Sequence, residues 1–262
     1  MSDTIARSRS RYSGFSFVLR KPLAPCPRLR SLATIAVVLG TFQAFPSRTR
    51  AFWLLGFSSA DTLPPGTIGA IAGTGGQLTE VGDPGKTSFT PFLPHAGFRL
   101  GITDGFDVGY RLTQVALPFS SVGPTLGGEI DARYRLTSAD SAWQASLVAG
   151  MAYSFLDISG ISKHAWSPGA DLMLSRVLTP DYTFISELRY VYTAIPSAIG
   201  GAGGNHLHAA GADIGMKIAL TPAVSLVPEM GLFKFTGALA NRSADGIGFQ
   251  YGAVLSFRFS LS

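Results

Sequence analysis

Two histidines separated by one residue, His206 and His208, are the side chains best suited by type and spacing to carry chemistry. Residues i and i+2 of an extended strand point to the same side, so the two imidazoles could share a metal or supply a base. A metal needs further ligands, and Asp157, His164 and Asp245 lie far away in sequence. We expect the histidines to be polar rim residues, and we predict no catalytic residue, no metal and no cofactor.

Two further features carry no predicted site. The glycine-rich stretch 200–204 is not followed by Lys-Ser or Lys-Thr or by a helical pattern, so a phosphate-binding loop is not expected. Cys26 is the only cysteine, and it precedes the apolar stretch of the N-terminal segment. The chain after that segment therefore has neither disulfide nor thiol chemistry.

The composition is unusual for a soluble protein. Of 262 residues, 46% are hydrophobic, only 14% are charged and 31 are glycine, and the mean hydropathy is +0.27. Ordinary soluble domains are about 25% charged. Outside the N-terminus no run of 18 apolar residues is found, which argues against membrane-spanning helices. An apolar, glycine-rich chain without such helices is typical of a membrane β-barrel.

Residues 1–60 have the pattern of an export signal. They contain nine Lys or Arg and one acidic residue, a net charge of +8, followed by the 14-residue apolar stretch 32–45. Cleavage after Ala51 or after Ala60 fits the small residues there, and an uncleaved anchor is the alternative. Residues 61–262 have a net charge of −3, so the basic pI gives no reason to expect a nucleic-acid partner.

The remainder reads as alternating strands. In the last, Ile247 and every second residue to Phe259 are apolar over 14 residues, long enough for a tilted strand to cross a bilayer. Short turn sequences alternate with longer loops, predicted at 77–87, 119–123, 157–166, 195–205 and 238–246. Ten strands are predicted: 64–76, 88–102, 106–118, 124–136, 142–156, 167–178, 182–194, 206–220, 224–237 and 247–260.

The last strand carries a further pattern: polar, any, Gly, two of any, apolar, any, apolar. Gln250, Gly252, Leu255 and Phe257 fit it, and Phe259 continues it. With this pattern the chain resembles small bacterial outer-membrane β-barrels of the OmpA, OmpX, OmpW or porin-like kind. The resemblance implies an all-β, closed antiparallel up-and-down transmembrane barrel of about ten strands over residues 61–262. It also implies outer-membrane lipid and the barrel assembly machinery as partners.

Strand parity then divides the charges. If the aromatic and aliphatic face meets lipid, the other face lines the lumen, because an Arg or Lys on the lipid face near the midplane costs about 2–4 kcal/mol. Parity places seven bases and seven acids inside: Arg99, Asp107, Arg111, Glu129, Asp131, Arg133, Arg135, Asp171, Glu187, Arg189, Asp213, Lys217, Glu229 and Arg258. Two interpretations remain open, a structural ionic core and a small polar pore.

Three functional hypotheses follow. The first is a non-enzymatic outer-membrane barrel with a structural or small-solute, porin-like role. The second is an outer-membrane enzyme acting on lipid or peptide at the extracellular rim. The third is a soluble β-barrel that binds an apolar ligand, which would require aromatic residues inside and charges outside. Strand length, glycine content and the C-terminal pattern favour the first.

Overall fold

The computed structural model describes residues 59–81, 86–90, 94–115, 125–158, 161–196, 198–199, 201–239 and 241–261. Regular structure in these ranges is all β: β1 (Thr67–Val81), β2 (Lys86–Thr90), β3 (His95–Thr103), β4 (Phe106–Val115), β5 (Thr125–Arg135), β6 (Trp143–Ile158), β7 (Ile161–Thr179), β8 (Tyr182–Ile195), β9 (Asn205–Thr221), β10 (Val224–Leu239), β11 (Arg242–Ser243) and β12 (Gly246–Ser260). Among the described residues, no helix is long and apolar enough to cross a membrane.

The strands close into an antiparallel barrel. Each pairs with its neighbour in the chain from β3 to β10, β10 pairs with β12, and β12 returns to β1 with a register from Thr67↔Ser260 to Val81↔Gly246. Both β2 and β3 pair with β1 and share one position in the wall, whereas β11 pairs only with the end of β10. The predicted ten-position barrel is confirmed.

Alternating burial shows which face is inside. Along β8 every second residue from Ile185 to Ile195 is buried, and the residues between them are exposed or half-buried. Large apolar side chains cover the outer face, with Ile130 65%, Leu188 54% and Leu232 66% exposed. So much exposed apolar surface is typical of a protein surrounded by lipid.

The two ends of the barrel differ. At one end lie the turns 104–105, 180–181 and 222–223 together with residues 59–66 and Leu261. We call this the termini end and the opposite one the loop end. At the termini end the wall is tied to both chain ends, because the Gly66 amide donates to the Gly101 carbonyl at 3.1 Å and the Leu261 amide donates to the Gly66 carbonyl at 2.8 Å.

Three boundary predictions are wrong. The loop expected at 77–87 is strand at both of its ends, because β1 runs to Val81 and β2 starts at Lys86. The loop expected at 157–166 is mostly strand, because β6 runs to Ile158 and β7 starts at Ile161, extending the hairpin ladder. The strand expected at 88–102 is interrupted, because β2 ends at Thr90 and β3 begins at His95. Pro91 and Pro94 lie between them, and proline has no N–H to donate to a ladder. The loop predicted at 119–123 and residues 1–58 lie outside the described residues.

Candidate functional site: the barrel lumen

A first ionic cluster lies inside β3 to β5 and is centred on Asp107, which is fully buried. Its carboxylate accepts from Arg99 Nε at 2.9 Å and from Arg133 Nη2 at 2.5 Å. Arg99 also donates to Asp131, and the Leu63 amide donates to Asp107 at 2.9 Å. Buried charges are stable only when paired and hydrogen-bonded, and Asp107 meets both conditions.

The first cluster depends on a gap in β4. Arg99 on β3 and Asp131 on β5 both face Gly109 on the strand between them. A Cβ at Gly109 would lie 2.9 Å from Arg99 Nη1 and 2.9 Å from Asp131 Oδ2. Glycine therefore provides the space through which a guanidinium reaches a carboxylate two strands away.

A second ionic cluster crosses the lumen. Glu129 on β5 accepts from its cross-strand neighbour Arg111 at 2.6 Å and from Arg189 at 2.9 Å. Arg189 lies on β8, three strands from β5 around the wall. The Glu129–Arg189 bond is thus a chord across the barrel interior. Arg189 also contacts Asp171, with 3.1 Å between Nε and Oδ1.

The inner face of β7 to β10 is acidic. Asp171, Glu187, Asp213 and Glu229 are all buried there, and Arg189 is the cation among them. The closest approach of Arg189 Nη1 to Glu187 is 4.0 Å. A cavity of about 40 Å³ adjoins Arg99, Asp131, Glu129, Arg189 and Asp171. One water needs about 10–15 Å³ of such space, so the cavity has room for a few waters.

An apolar cluster fills another part of the interior, on β7 to β12. Its large members are Ile185, Leu207, Phe233, Phe235 and Val254, and Phe235 is fully buried. The sequence analysis assigned apolar side chains to lipid and missed this cluster. Alternation along β10 could have predicted it. Glu229 faces inward, and residues 233 and 235 on the same strand lie on the same face.

The chain before β1 enters the lumen at the termini end. Ser59 and Ala60 are buried, although the sequence analysis assigned them to the export segment. Arg133 Nη1 donates to the Ser59 carbonyl at 2.5 Å, and the Ser146 hydroxyl donates to the Ala60 carbonyl. The side chain of Ala60 packs with Val148 and Met173. Residues 59–63, the N-terminal plug, thus fill the part of this end of the lumen that adjoins the first cluster.

The other predicted lumen charges lie nearer the termini end. Lys217 is 3.9 Å from Asp61 of the N-terminal plug, and Arg135 is half-buried at the end of β5. Arg258 is exposed beside Lys217, where both line an open depression of about 240 Å³. These residues face the mouth, whereas the two ionic clusters occupy the interior.

The predicted assembly residues have different surroundings within β12. Gln250 is fully buried and donates to Gln77 at 2.5 Å, and Gly252 pairs with Gly75 across the closing seam. Leu255 and Phe257 are half-buried, and Phe259 is exposed near the termini end. Recognition by an assembly machinery stays a prediction.

The histidines of the loop end lie on the outer face of the barrel. Nδ1 of His164 is 2.7 Å from the Tyr153 hydroxyl, and Nδ1 of His208 is 2.7 Å from the Tyr190 hydroxyl. Asp245 accepts from the hydroxyl of Ser243 at 2.7 Å. Within the described ranges, no three His, Cys, Asp or Glu side chains form a metal-binding group. The contacts observed for these histidines are those of an aromatic surface band.

Comparison with known proteins gives fold likenesses to bacterial outer-membrane β-barrels. No protein-family model and no curated protein sequence matches the chain. The crystal structure of the outer membrane protease OmpT from Escherichia coli aligns at 11% identity and a TM-score of 0.46, covering 77% of this chain and 100% of that one. The COG4313 outer membrane channel from Pseudomonas putida F1 aligns at 13% identity and a TM-score of 0.47, covering 79% and 100%.

Proposed function

We propose that this chain is an integral outer-membrane barrel with a structural role, whose lumen is closed at rest. The Glu129–Arg189 bond carries this proposal, because this 2.9 Å contact joins side chains from β5 and β8, three strands apart, and so occupies the lumen between them. The N-terminal plug supports it at the termini end, and the apolar cluster supports it elsewhere in the lumen. Small barrels are commonly filled by side chains in this way.

The membrane location rests on the distribution of polarity. The charges of the two ionic clusters point inward and the many exposed large apolar side chains point outward, the reverse of what a soluble barrel with an apolar ligand requires. Fractionation of cells that express the full chain tests the location. We expect the folded form in the outer-membrane fraction, with a gel mobility that changes on boiling. Recovery as a soluble periplasmic protein would exclude both membrane hypotheses.

Planar-bilayer recording tests the closed lumen. The unmodified barrel should show no steady conductance. Glu129→Ala combined with Arg189→Ala removes both partners of the cross-lumen bond, so it should introduce a measurable current. The exposed loop-end pair Ser243→Ala with Asp245→Ala is the matched control and should stay silent. A large, stable current in the unmodified barrel would instead favour the small-solute, porin-like role.

A further inference from the structure

Five side chains form a polar and aromatic patch on the outer face at the loop end: Tyr190, Tyr192, His206, His208 and Lys234. We call this the β8–β10 patch. The registers place Tyr190 beside Ala210 and Ala210 beside Lys234 on three adjacent strands. One step nearer the loop end, Tyr192 lies beside His208. The patch therefore presents two imidazoles, two phenols and one ammonium group on a single surface.

The rings are held in fixed positions. The ring centroids of Tyr192 and His208 are 5.0 Å apart, and those of His206 and His208 are 5.6 Å apart. Nδ1 of His206 is 2.9 Å from the Gly204 carbonyl oxygen, which can only accept, so this nitrogen carries a proton. The Tyr190 hydroxyl occupies Nδ1 of His208. With Nδ1 accepting from the Tyr190 hydroxyl, His208 carries its proton on Nε2 and can donate it to an external partner, whereas Nε2 of His206, whose proton is on Nδ1, is an acceptor.

The charge of Lys234 and the position of the patch relative to the membrane interface indicate the chemistry of that partner. Lys234 and Arg176 are the two cations on the outer face of β7 to β10, and Arg176 lies at the termini end over the Trp143 ring, 5.4 Å from its centroid. A lysine facing lipid costs about 2–4 kcal/mol at the midplane but about 0–1 near the interfaces. Aromatic residues mark the interfaces, where lipid headgroups lie. Two exposed acids lie near Lys234: Glu80, two strands away across Ile247, and Asp245, which lies two residues before Ile247 and accepts from the Ser243 hydroxyl.

We propose that the β8–β10 patch binds a phosphate group of an outer-leaflet lipid, since the longer loops of outer-membrane barrels face outward and the patch lies at the loop end. The ammonium of Lys234 supplies the charge, Nε2 of His208 donates a hydrogen bond to a phosphate oxygen, and the tyrosine rings contact the adjoining sugar or acyl region. The proposal rests on the proposed membrane location for access to lipid. It does not rest on the state of the lumen, so conductance results leave it unaffected.

Native mass spectrometry of the purified full barrel in detergent tests the site. The probes are a phosphorylated lipid A, the same lipid with its phosphates removed, and inorganic phosphate. We expect the phosphorylated lipid to remain bound and the dephosphorylated lipid to bind about tenfold more weakly, since charge-assisted hydrogen bonds are among the stronger kinds. Equal retention of the two lipids would overturn the proposal. If inorganic phosphate displaced the phosphorylated lipid as effectively as more of that lipid does, the assignment to a lipid would be overturned.

Variants localise the binding. Lys234→Gln with His208→Ala should weaken binding of the phosphorylated lipid about tenfold and leave the dephosphorylated lipid unaffected. Arg176→Gln is the matched control, because it removes an outward-facing cation at the opposite end. Heat-dependent gel mobility verifies that each variant is folded. A folded double variant with unchanged lipid retention, or an equal loss in Arg176→Gln, would contradict the site.

Discussion

Gly109 couples the wall of the barrel to the ionic interior. Gly109→Ala would bring a methyl group to 2.9 Å from both Arg99 and Asp131, so the ion pair or the strand must shift. Overpacking of this kind typically costs about 1–3 kcal/mol. We expect urea unfolding in lipid vesicles to show a loss of that size. Gly105→Ala is the control, because a Cβ there has nothing within 4 Å, and an equal loss in both variants would contradict the role of Gly109.

Phe233 and Asp107 illustrate what a sequence can and cannot specify about a barrel interior. Asp107 was predicted inward from alternation, and the structure places it there, because a charge on the lipid face is costly. A phenylalanine is tolerated on either face, so its type does not predict whether Phe233 faces lipid or the lumen. Only its position, an even number of residues from Glu229, places it on the inner face. Pairing across the lumen, as between Glu129 and Arg189, depends on wall curvature and closure, which strand periodicity does not encode.

At the scale of elements, the contacts of the N-terminal plug favour one of the two predicted signal-cleavage sites. Cleavage after Ala60 would remove the Ser59 and Ala60 carbonyls that accept from Arg133 and Ser146. It would also create a charged amino group at Asp61. We therefore predict that the mature chain retains both residues, as cleavage after Ala51 would allow. The intact mass of the purified barrel decides this, and a mass corresponding to a chain that begins at Asp61 would refute it.

Strand β12 carries the predicted assembly pattern. Phe257→Ala with Phe259→Ala should reduce the folded, inserted fraction severalfold, because both aromatic side chains belong to the segment predicted to be recognised by the assembly machinery. Phe249→Ala is the control, since it removes an outward-facing aromatic residue from the same strand outside the pattern. Heat-modifiable gel mobility after expression in cells is the measurement. Unchanged insertion of the double variant would count against a recognition role.

At the scale of the whole molecule, the cost of placing an arginine on the outer face should depend on how deep the position lies in the bilayer. Ile130 lies within β5, and Leu136 follows the end of that strand with the same parity. Both side chains are more than half exposed, at 65% and 53%. Ile130→Arg should cost about 2–4 kcal/mol of folding free energy in lipid, and Leu136→Arg about 0–1 kcal/mol. Reversible unfolding in vesicles measures both, and equal costs would contradict a membrane boundary between them.

The strands and their antiparallel order were predictable because the rules for them are local, whereas closure was implied by the resemblance. Alternation identifies strands, and turn chemistry links neighbours in antiparallel order. The prolines at 91 and 94 interrupt the wall between β2 and β3, yet closure by β1 and β12 is unaffected. The extension of β6 and β7 could not be predicted, because polar residues at a strand end have the same composition whether they continue the ladder or form a loop.

The seam between β1 and β12 also sets an order of events. Its partners, from Thr67↔Ser260 to Val81↔Gly246, are nearly the whole barrel apart in sequence, so the final closure joins the first strand made to the last. Contacts of such separation form slowly, because the loop entropy must be lost before they are gained. Asp107 and Arg133, which bind the N-terminal plug, lie on early strands and are available sooner. A chain that lacks β12 would leave β1 and β10 as two unpaired edges, while it would still contain the residues on β4 and β5 that bind the N-terminal plug.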